Sequence, residues 1–489
     1  MDNDIILQRL KKYFPMPVDL RKSENYLQTS EGKSYDFIVR GTMEHAGRCE
    51  LNQWGRLVHF EVMLGLVLSS TVLSEDELVD ISWNFVRQFY PDVSGQYELS
   101  TVFNMQEIYS IYFEKKDERL GVTIPYVGFN VGISVDGQLI DFSFDYPNYK
   151  ISYLEEMISS EEAKKIYVDN VELELAIEYC DLDTYINGDD DYHLLYKVKR
   201  NVVTVPGTGE VKLIEEREKY DYVSIERQET TLTSLYEALG ISKDHHKLGQ
   251  QAYKAGKMEV WSKLLQNNQF DFSMFLPEDQ VIKIEYDSKG LVQHVLSGEE
   301  TPRMMDKLSI DEARELALNF LFYMEPEAES KFLLRVNKED PFEGEEYFDK
   351  FADGEDDQPF QLFPQQGYEE MYRFLFQRVK SDVFVSENFI TIGIGKYSGS
   401  IRLYQNTVKN EASLESIDVK PVISEEQALK LYEQALRMEL SLLPQFVGQL
   451  RVYSPGYLAK FAKEHQYVEA IDAVDGKLYE IDLNDPIPY

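Results

Sequence analysis

The chain is written twice, and nothing else in it constrains the fold as strongly. LSEDELVDISWNFV begins at Leu73 and LSIDEARELALNFL at Leu308, an offset of 235, with Asn84-Phe85 falling on Asn319-Phe320. Upstream, Glu50 and Gly55 fall on Glu285 and Gly290 at the same offset. IYSIYFEK from Ile108 resembles MYRFLFQR from Met371 at an offset of 263. ISSEEAKKIY from Ile158 matches ISEEQALKLY from Ile423 at 265, and GEVKLIE from Gly209 resembles GKLYEID from Gly476 at 267. Near the start, GKSYDF from Gly32 resembles GKMEVW from Gly256 at 224. Across these matches the offset does not fall, as expected if two copies differ mainly by insertions in the second.

The copies meet near 217–230, a charged stretch without hydrophobic periodicity, so the halves read as 1–222 and 228–489. The step from 235 to 263 calls for about 28 extra residues in the second half. The segment 337–360, with ten acids and two lysines, lies in that window and reads as an inserted acidic loop.

A finer repeat runs through both halves. Ser74-x-x-Glu77, Ser159-x-x-Glu162, Ser309-x-x-Glu312 and Ser424-x-x-Gln427 are capping boxes. In each, the serine accepts from a free first-turn N–H and the Glu or Gln reaches back to the serine's own N–H. Leu73, Ile158, Leu308 and Ile423 precede the caps as apolar staples. Between the predicted helices stand VGISVDGQLIDFSF, KIEYDSKGLVQHV and AIDAVDGKLYEID, each reading as strand, tight turn, strand. Asp-Gly and Lys-Gly suit turns that need a positive φ. The expected class is α+β: capped helices on antiparallel meanders, in units near 73–150, 158–216, 308–410 and 423–483.

The stretch ITIGIGKYSGSIRLY, 390–404, looks at first like a phosphate-cradling loop. Its mate in the first half, FNVGISVDGQLIDF, carries Gly132 and Gly137 where this one has Gly393 and Gly399, and the second of these sits in a plain Asp-Gly turn. A phosphate loop leads into a helix whose N-terminal amides hold the anion, whereas these glycines lead into SIRLYQ, a strand pattern. A hairpin is expected.

Composition sets the outer limits. With 489 residues, 43% apolar and 13% aromatic, the chain can bury more than one core. A net charge of −37 repels nucleic-acid backbones and anionic membrane surfaces. Cys49 and Cys180 form neither a disulfide framework nor a metal cluster and read as buried apolar residues. No signal-peptide core is evident at the start, and the longest apolar run, 62–68, is too short to cross a bilayer. The expectation is a cytoplasmic protein without membrane insertion.

Chemistry-bearing motifs are few. DLDTYINGDDDYH, 181–193, spaces Asp181, Asp183, Asn187 and Asp189 like ligands for calcium. An EF-hand register starting at Asp183 places Gly188 correctly but puts Tyr185 at position three and Leu194 where a bidentate Glu belongs. An ordinary polar loop is the plainer reading, and no cofactor other than calcium is suggested. The acidic insertion, with Asp349, Asp353, Glu355, Asp356 and Asp357, invites the same two readings. His245-His246 has no counterpart in the first half, and no zinc motif or nucleophile elbow occurs. Trp54, Trp83 and Trp261 are expected in cores.

The unit, a helix opening [Ile/Leu]-Ser-x-Glu-x-Ala and a hairpin ending Asp-Gly-x-[Leu/Ile], resembles the PepSY-type module. Four units in two halves resemble the YcdB/YcdC repeat proteins of Gram-positive bacteria. The resemblance implies cystatin-like α+β units and supplies no catalytic residues. It also implies a role like that of PepSY modules in protease propeptides and envelope proteins, which are often inhibitory or protein-binding. The chain departs from that setting in showing no export signal, membrane helix or protease domain. The expected function is a non-enzymatic protein- or peptide-binding or regulatory protein with an unidentified partner. The alternative is a hydrolase working through carboxylates, with or without a metal.

Overall fold

The computed structural model describes residues 3–23, 32–42, 44–63, 71–92, 94–105, 107–145, 148–200, 202–211, 220–253, 256–264, 280–298, 306–337, 369–447, 450–461 and 466–482. The architecture is α+β, dominated by antiparallel sheet with few helices. Residues 338–360 of the acidic stretch lie outside the described residues.

The first body is an eight-stranded antiparallel sheet. Its spatial order is Val18–Lys22, Lys33–Val39, His45–Leu51, Leu57–Val62, Leu139–Asp145, Thr123–Ser134, Ile108–Lys116, Tyr97–Met105. The Glu75–Phe89 helix lies on it, burying Leu78, Phe85 and Val86 against Phe60, Phe129 and Phe142. The second body repeats that order: His246–Tyr253, Gly256–Ser262, Ile282–Asp287, Val292–Ser297, Ile401–Asn406, Val383–Gly395, Met371–Lys380, Phe332–Asn337, with the Ile310–Met324 helix in the matching place.

The duplication extends to register. Phe60 pairs with Phe142 across the strands that close the first meander, and Val295 pairs with Tyr404 across the second, at offsets of 235 and 262. β-Bulges also recur: Glu50/Leu51 and Glu285/Tyr286, Glu114/Lys115 and Gln377/Val379, Gly132/Ile133 and Gly393/Ile394. Each bulge turns the strand locally and resets which side chains face the core.

All four capping boxes form, at Ser74, Ser159, Ser309 and Ser424. Each capped helix meets a glycine-bearing turn in the same way. The turn glycines, Gly137 (φ +87°), Gly399 (+67°), Gly209 (+82°) and Gly476 (+78°), adopt a conformation that L side chains avoid. Each packs against the staple residue of its helix and the residue eight further on: Leu73 and Ile81, Leu308 and Leu316, Ile158 and Ile166, Ile423 and Leu431. A Cβ on Gly476 would lie 2.7 Å from Leu431 Cδ1, so the turn can approach the helix only without one.

A third body continues the second sheet, Val171–Cys180 running parallel to Val383–Gly395, and draws its elements from both 1–222 and 228–489. The Ser160–Val168 helix and the strand Thr204–Pro206 belong to the first half, yet they assemble with Arg437–Val447 and Leu450–Lys460 of the second. Reciprocally, the Glu425–Ala435 helix and the strands Gln466–Asp472 and Leu478–Asp482 assemble with Val171–Cys180 and Asp191–Arg200 of the first. The two units have exchanged hairpins.

Matching contacts seal the exchange. Tyr196 Oη donates to the carbonyl of Ile423 at 3.0 Å, and Tyr457 Oη donates to the carbonyl of Ile158 at 2.6 Å. Ala473 N–H donates to Leu194 O at 2.8 Å, and Gly207 N–H to Pro455 O at 2.9 Å. One core runs through the result, with Ala163 and Tyr167 beside Ala428 and Tyr432.

Trp83 and Trp261 pack on cores, but Trp54 does not: it sits in a turn between strands and is 74% exposed. Cys49 and Cys180 are free thiols and fully buried.

Candidate functional site

The 390–404 stretch is a hairpin, with Val383–Gly395 antiparallel to Ile401–Asn406. Its turn does hold an anion, but the anion is the protein's own. The Glu369 carboxylate accepts from the amides of Tyr397 (2.7 Å) and Ser398 (2.5 Å), from Ser398 Oγ (2.7 Å) and from Arg402 Nε (2.9 Å). Next to it Lys396, also buried, pairs with Glu370 at 2.8 Å. Glu369 lies outside the motif, so sequence reasoning missed it. The available signal was Gly395, which stands where the first copy has Ser134. A Cβ there would come within 2.5 Å of the Glu369 carboxylate.

The candidate calcium residues are drawn apart. Asp181 accepts from Thr184 N–H at 2.8 Å and meets Lys409 Nζ at 3.3 Å. Asn187 donates to Leu478 O at 2.7 Å and accepts from the amide of Glu480. Asp189 pairs with His193 Nε2 at 2.9 Å, while Asp183 is exposed. The loop closes the exchanged hairpin and docks through Asn187 on the last strand of the other unit. Among the described residues no group of three or more His, Cys, Asp or Glu side chains is arranged to hold a metal.

His193 also meets Asp472 through Nδ1 at 3.2 Å, bridging the strand exchange. Its pKa is raised, chiefly by the hydrogen bond to Asp472, against the opposing pull of burial. Burial pushes Asp472 up. The hydrogen bond from His193 and the amides of Val474 and Asp475 outweigh it and hold the carboxyl below its ordinary value.

Burial raises both cysteine thiols strongly, which removes them as nucleophiles. Burial also raises the carboxyls of Asp141 and Glu325. Asp141 faces Glu61 across neighbouring strands of the first sheet, beside His59. Burial raises its pKa, His59 opposes the shift and Glu61 adds to it. In the second copy the matching positions are Leu296 and Leu403. A depression along the first helix, lined by Asp4, Ile5, Gln8, Arg9 and Lys12, contains a single acid.

A further site is a sheet edge already filled. The strand Tyr220–Ser224, from the segment joining the sequence halves, lies antiparallel along Phe332–Asn337 at the rim of the second body, from Tyr220 opposite Asn337 to Ser224 opposite Leu333. Its side chains Tyr222 and Val223 remain exposed, so the main-chain ladder carries most of the contact. Arg335 lies over the Tyr220 ring at 4.4 Å and Tyr222 packs on Phe384 at 4.8 Å. Ile225 then enters the core, and Thr231 exchanges hydrogen bonds with Asn319 on the Ile310–Met324 helix.

No family model matches the chain. Over 396 residues, 75% of this chain and 75% of the relative, it is 24% identical to the uncharacterized protein YcdB of Bacillus subtilis (strain 168). Among solved structures, the Bacillus megaterium YpeB C-terminal domain matches 44% of this chain and 99% of its own length, at 15% identity and a TM-score of 0.28. A likeness of that size carries no argument about fold or role.

Proposed function

We propose that this chain is a non-enzymatic protein- or peptide-binding protein assembled from PepSY-like units. The observation that supports this reading is its use of added strands. Tyr220–Ser224 joins the rim of the second body, and two hairpins are taken up reciprocally between units of different halves. A scaffold that accepts extended segments by backbone pairing has the chemistry of β-strand addition, in which the ladder provides affinity and alternate side chains provide selectivity. The test is a selection of displayed random peptides on the purified protein, followed by direct titration of the enriched sequences. Enrichment of extended, β-prone sequences with saturable binding is expected. Absence of any enriched binder overturns the reading.

Carboxylate-dependent hydrolysis has one observation in its favour, the Asp141 carboxyl with its raised pKa beside Glu61. Turnover of ester, phosphoester, glycoside or peptide substrates that disappears in both Asp141→Asn and Glu61→Gln would replace the binding reading with this one.

A further inference from the structure

The duplication provides an internal comparison that locates a binding edge. In the second body the rim strand Phe332–Asn337 is covered by Tyr220–Ser224. Register identifies its counterpart. Leu334 pairs with Phe376, and Leu99 pairs with Phe113, at offsets of 235 and 263. Residues 98–102 of the strand Tyr97–Met105 are therefore the equivalent of 333–337. This strand ends the first sheet, and among the described residues no strand lies on its outer side.

The side chains record the difference. Leu334, under the added strand, is 6% exposed, whereas Leu99 is 48% exposed. Leu99 shares a face with its cross-strand partner Phe113, on which Trp83 stacks at 4.5 Å, so the apolar surface continues inward from the edge. The helix differs in the same way. Asn319 is engaged by Thr231, while Asn84, at the same place on the first helix, is exposed.

Deepening the binding reading above, on which this rests, we propose that residues 98–102 and Asn84 form a docking edge for an extended segment of another polypeptide. The segment adds antiparallel to 98–102. The occupied edge sets its chemistry: a five-residue extended stretch with aromatic residues at its first and third positions and a β-branched residue at its fourth, as in Tyr220, Tyr222 and Val223, then an aliphatic side chain in the role of Ile225, and six residues later a hydroxyl in the role of Thr231. Glu98 on this edge is paired with Lys116 at 2.9 Å, so it is the chain's net charge of −37 that disfavours a strongly acidic segment.

The test uses the full chain and, as probe, a fluorescein-labelled synthetic peptide of residues 219–233, KYDYVSIERQETTLT. Saturable binding is expected by anisotropy. Leu99→Asp should weaken it by about tenfold or more, the scale set by one buried leucine, and Asn84→Ala by a smaller factor. Both side chains are exposed, so folding is expected to survive, and matching circular dichroism melts verify this. On binding, amide exchange should slow at 98–102. Unchanged affinity in both variants, or protection at 333–337 instead, moves the peptide elsewhere and overturns this edge while leaving the general binding reading intact. No binding up to millimolar peptide overturns the edge, with the display selection judging the wider reading separately. A concentration-dependent dimer in sedimentation, abolished by Leu99→Asp, overturns it in favour of a second copy of this chain.

Discussion

The Glu369 carboxylate and the Arg402 guanidinium meet inside the protein, 8% and 4% exposed, at the root of a glycine-rich turn. Removing one partner leaves the other charged and desolvated. Glu369→Gln and Arg402→Met should each cost about 3–5 kcal/mol, and the double variant less than the sum of the two. Urea melts of the four species close the cycle; additive losses would show that the two do not act as a pair.

The caps should behave as four independent features. Each of Ser74→Ala, Ser159→Ala, Ser309→Ala and Ser424→Ala removes the acceptor for a first-turn amide. A loss of about 1 kcal/mol apiece is expected, read as a shift in denaturation midpoint at constant slope.

The helix-facing turns separate two effects of glycine. Gly476 and Gly290 both have positive φ, but only Gly476 lies against a helix. Both changes to alanine introduce backbone strain, while Gly476→Ala also drives a Cβ into Leu431. Gly476→Ala should exceed Gly290→Ala by more than about 1 kcal/mol. Equal losses in thermal melts would mean that helix and turn yield to each other.

His193 gives the exchanged body a pH response. Its folded pKa is raised above the ordinary 6.5, so its contribution is complete below that value and disappears as pH rises through the folded pKa. Asp472 is depressed below 3.8, so its contribution is present above that value and is lost as pH falls through the folded pKa. The stability gap between wild type and His193→Gln should therefore be widest between about pH 4 and 6.5 and shrink on the alkaline side. Denaturation at stepped pH, with an NMR titration of the ring, measures it; a gap that grows above pH 7 would reverse the assignment.

Asp181 tests the cation reading of its loop. Because its carboxylate already serves Thr184 and Lys409, calcium should shift the melting temperature of wild type and Asp181→Asn by the same amount. A shift confined to wild type would restore a calcium site.

The legible parts of this fold are those fixed by near neighbours in sequence. A Ser-x-x-Glu box needs only one turn of helix to act, and Asp-Gly needs only its own turn, so the helix starts and hairpins could be read directly. The hairpin exchange could not. Tyr196 and Tyr457 reach Ile423 and Ile158 across it, and the same residues would satisfy the same pattern had each hairpin stayed at home. Glu369 was hidden for a related reason: it is one of 87 acids and lies well upstream of the turn it fills. Trp54 was misplaced because bulk alone suggested a core, while its turn between two strands leaves it no face to pack on. At 181–193 the spacing of acids resembled a ligand set, but tertiary partners had already claimed three of the four side chains.

The exchange also sets an order for how this protein is made. Leu195 pairs with Asp472, and 277 residues separate them. At ribosomal rates of 5–20 residues per second, the strand Asp191–Arg200 emerges roughly 15–55 s before the strand it must pair with exists. During that interval the first body can close its own sheet, since its strands all come from within 18–145. The hairpin 171–200 cannot. It waits with one edge unpaired and its share of the common core exposed, the condition in which strands pair with a neighbouring nascent chain. Completion of the third body thus waits until residues 466–472 have been made: Val171–Cys180 can pair earlier with Val383–Gly395, but until then the Asp191–Arg200 edge of the hairpin has no matching strand.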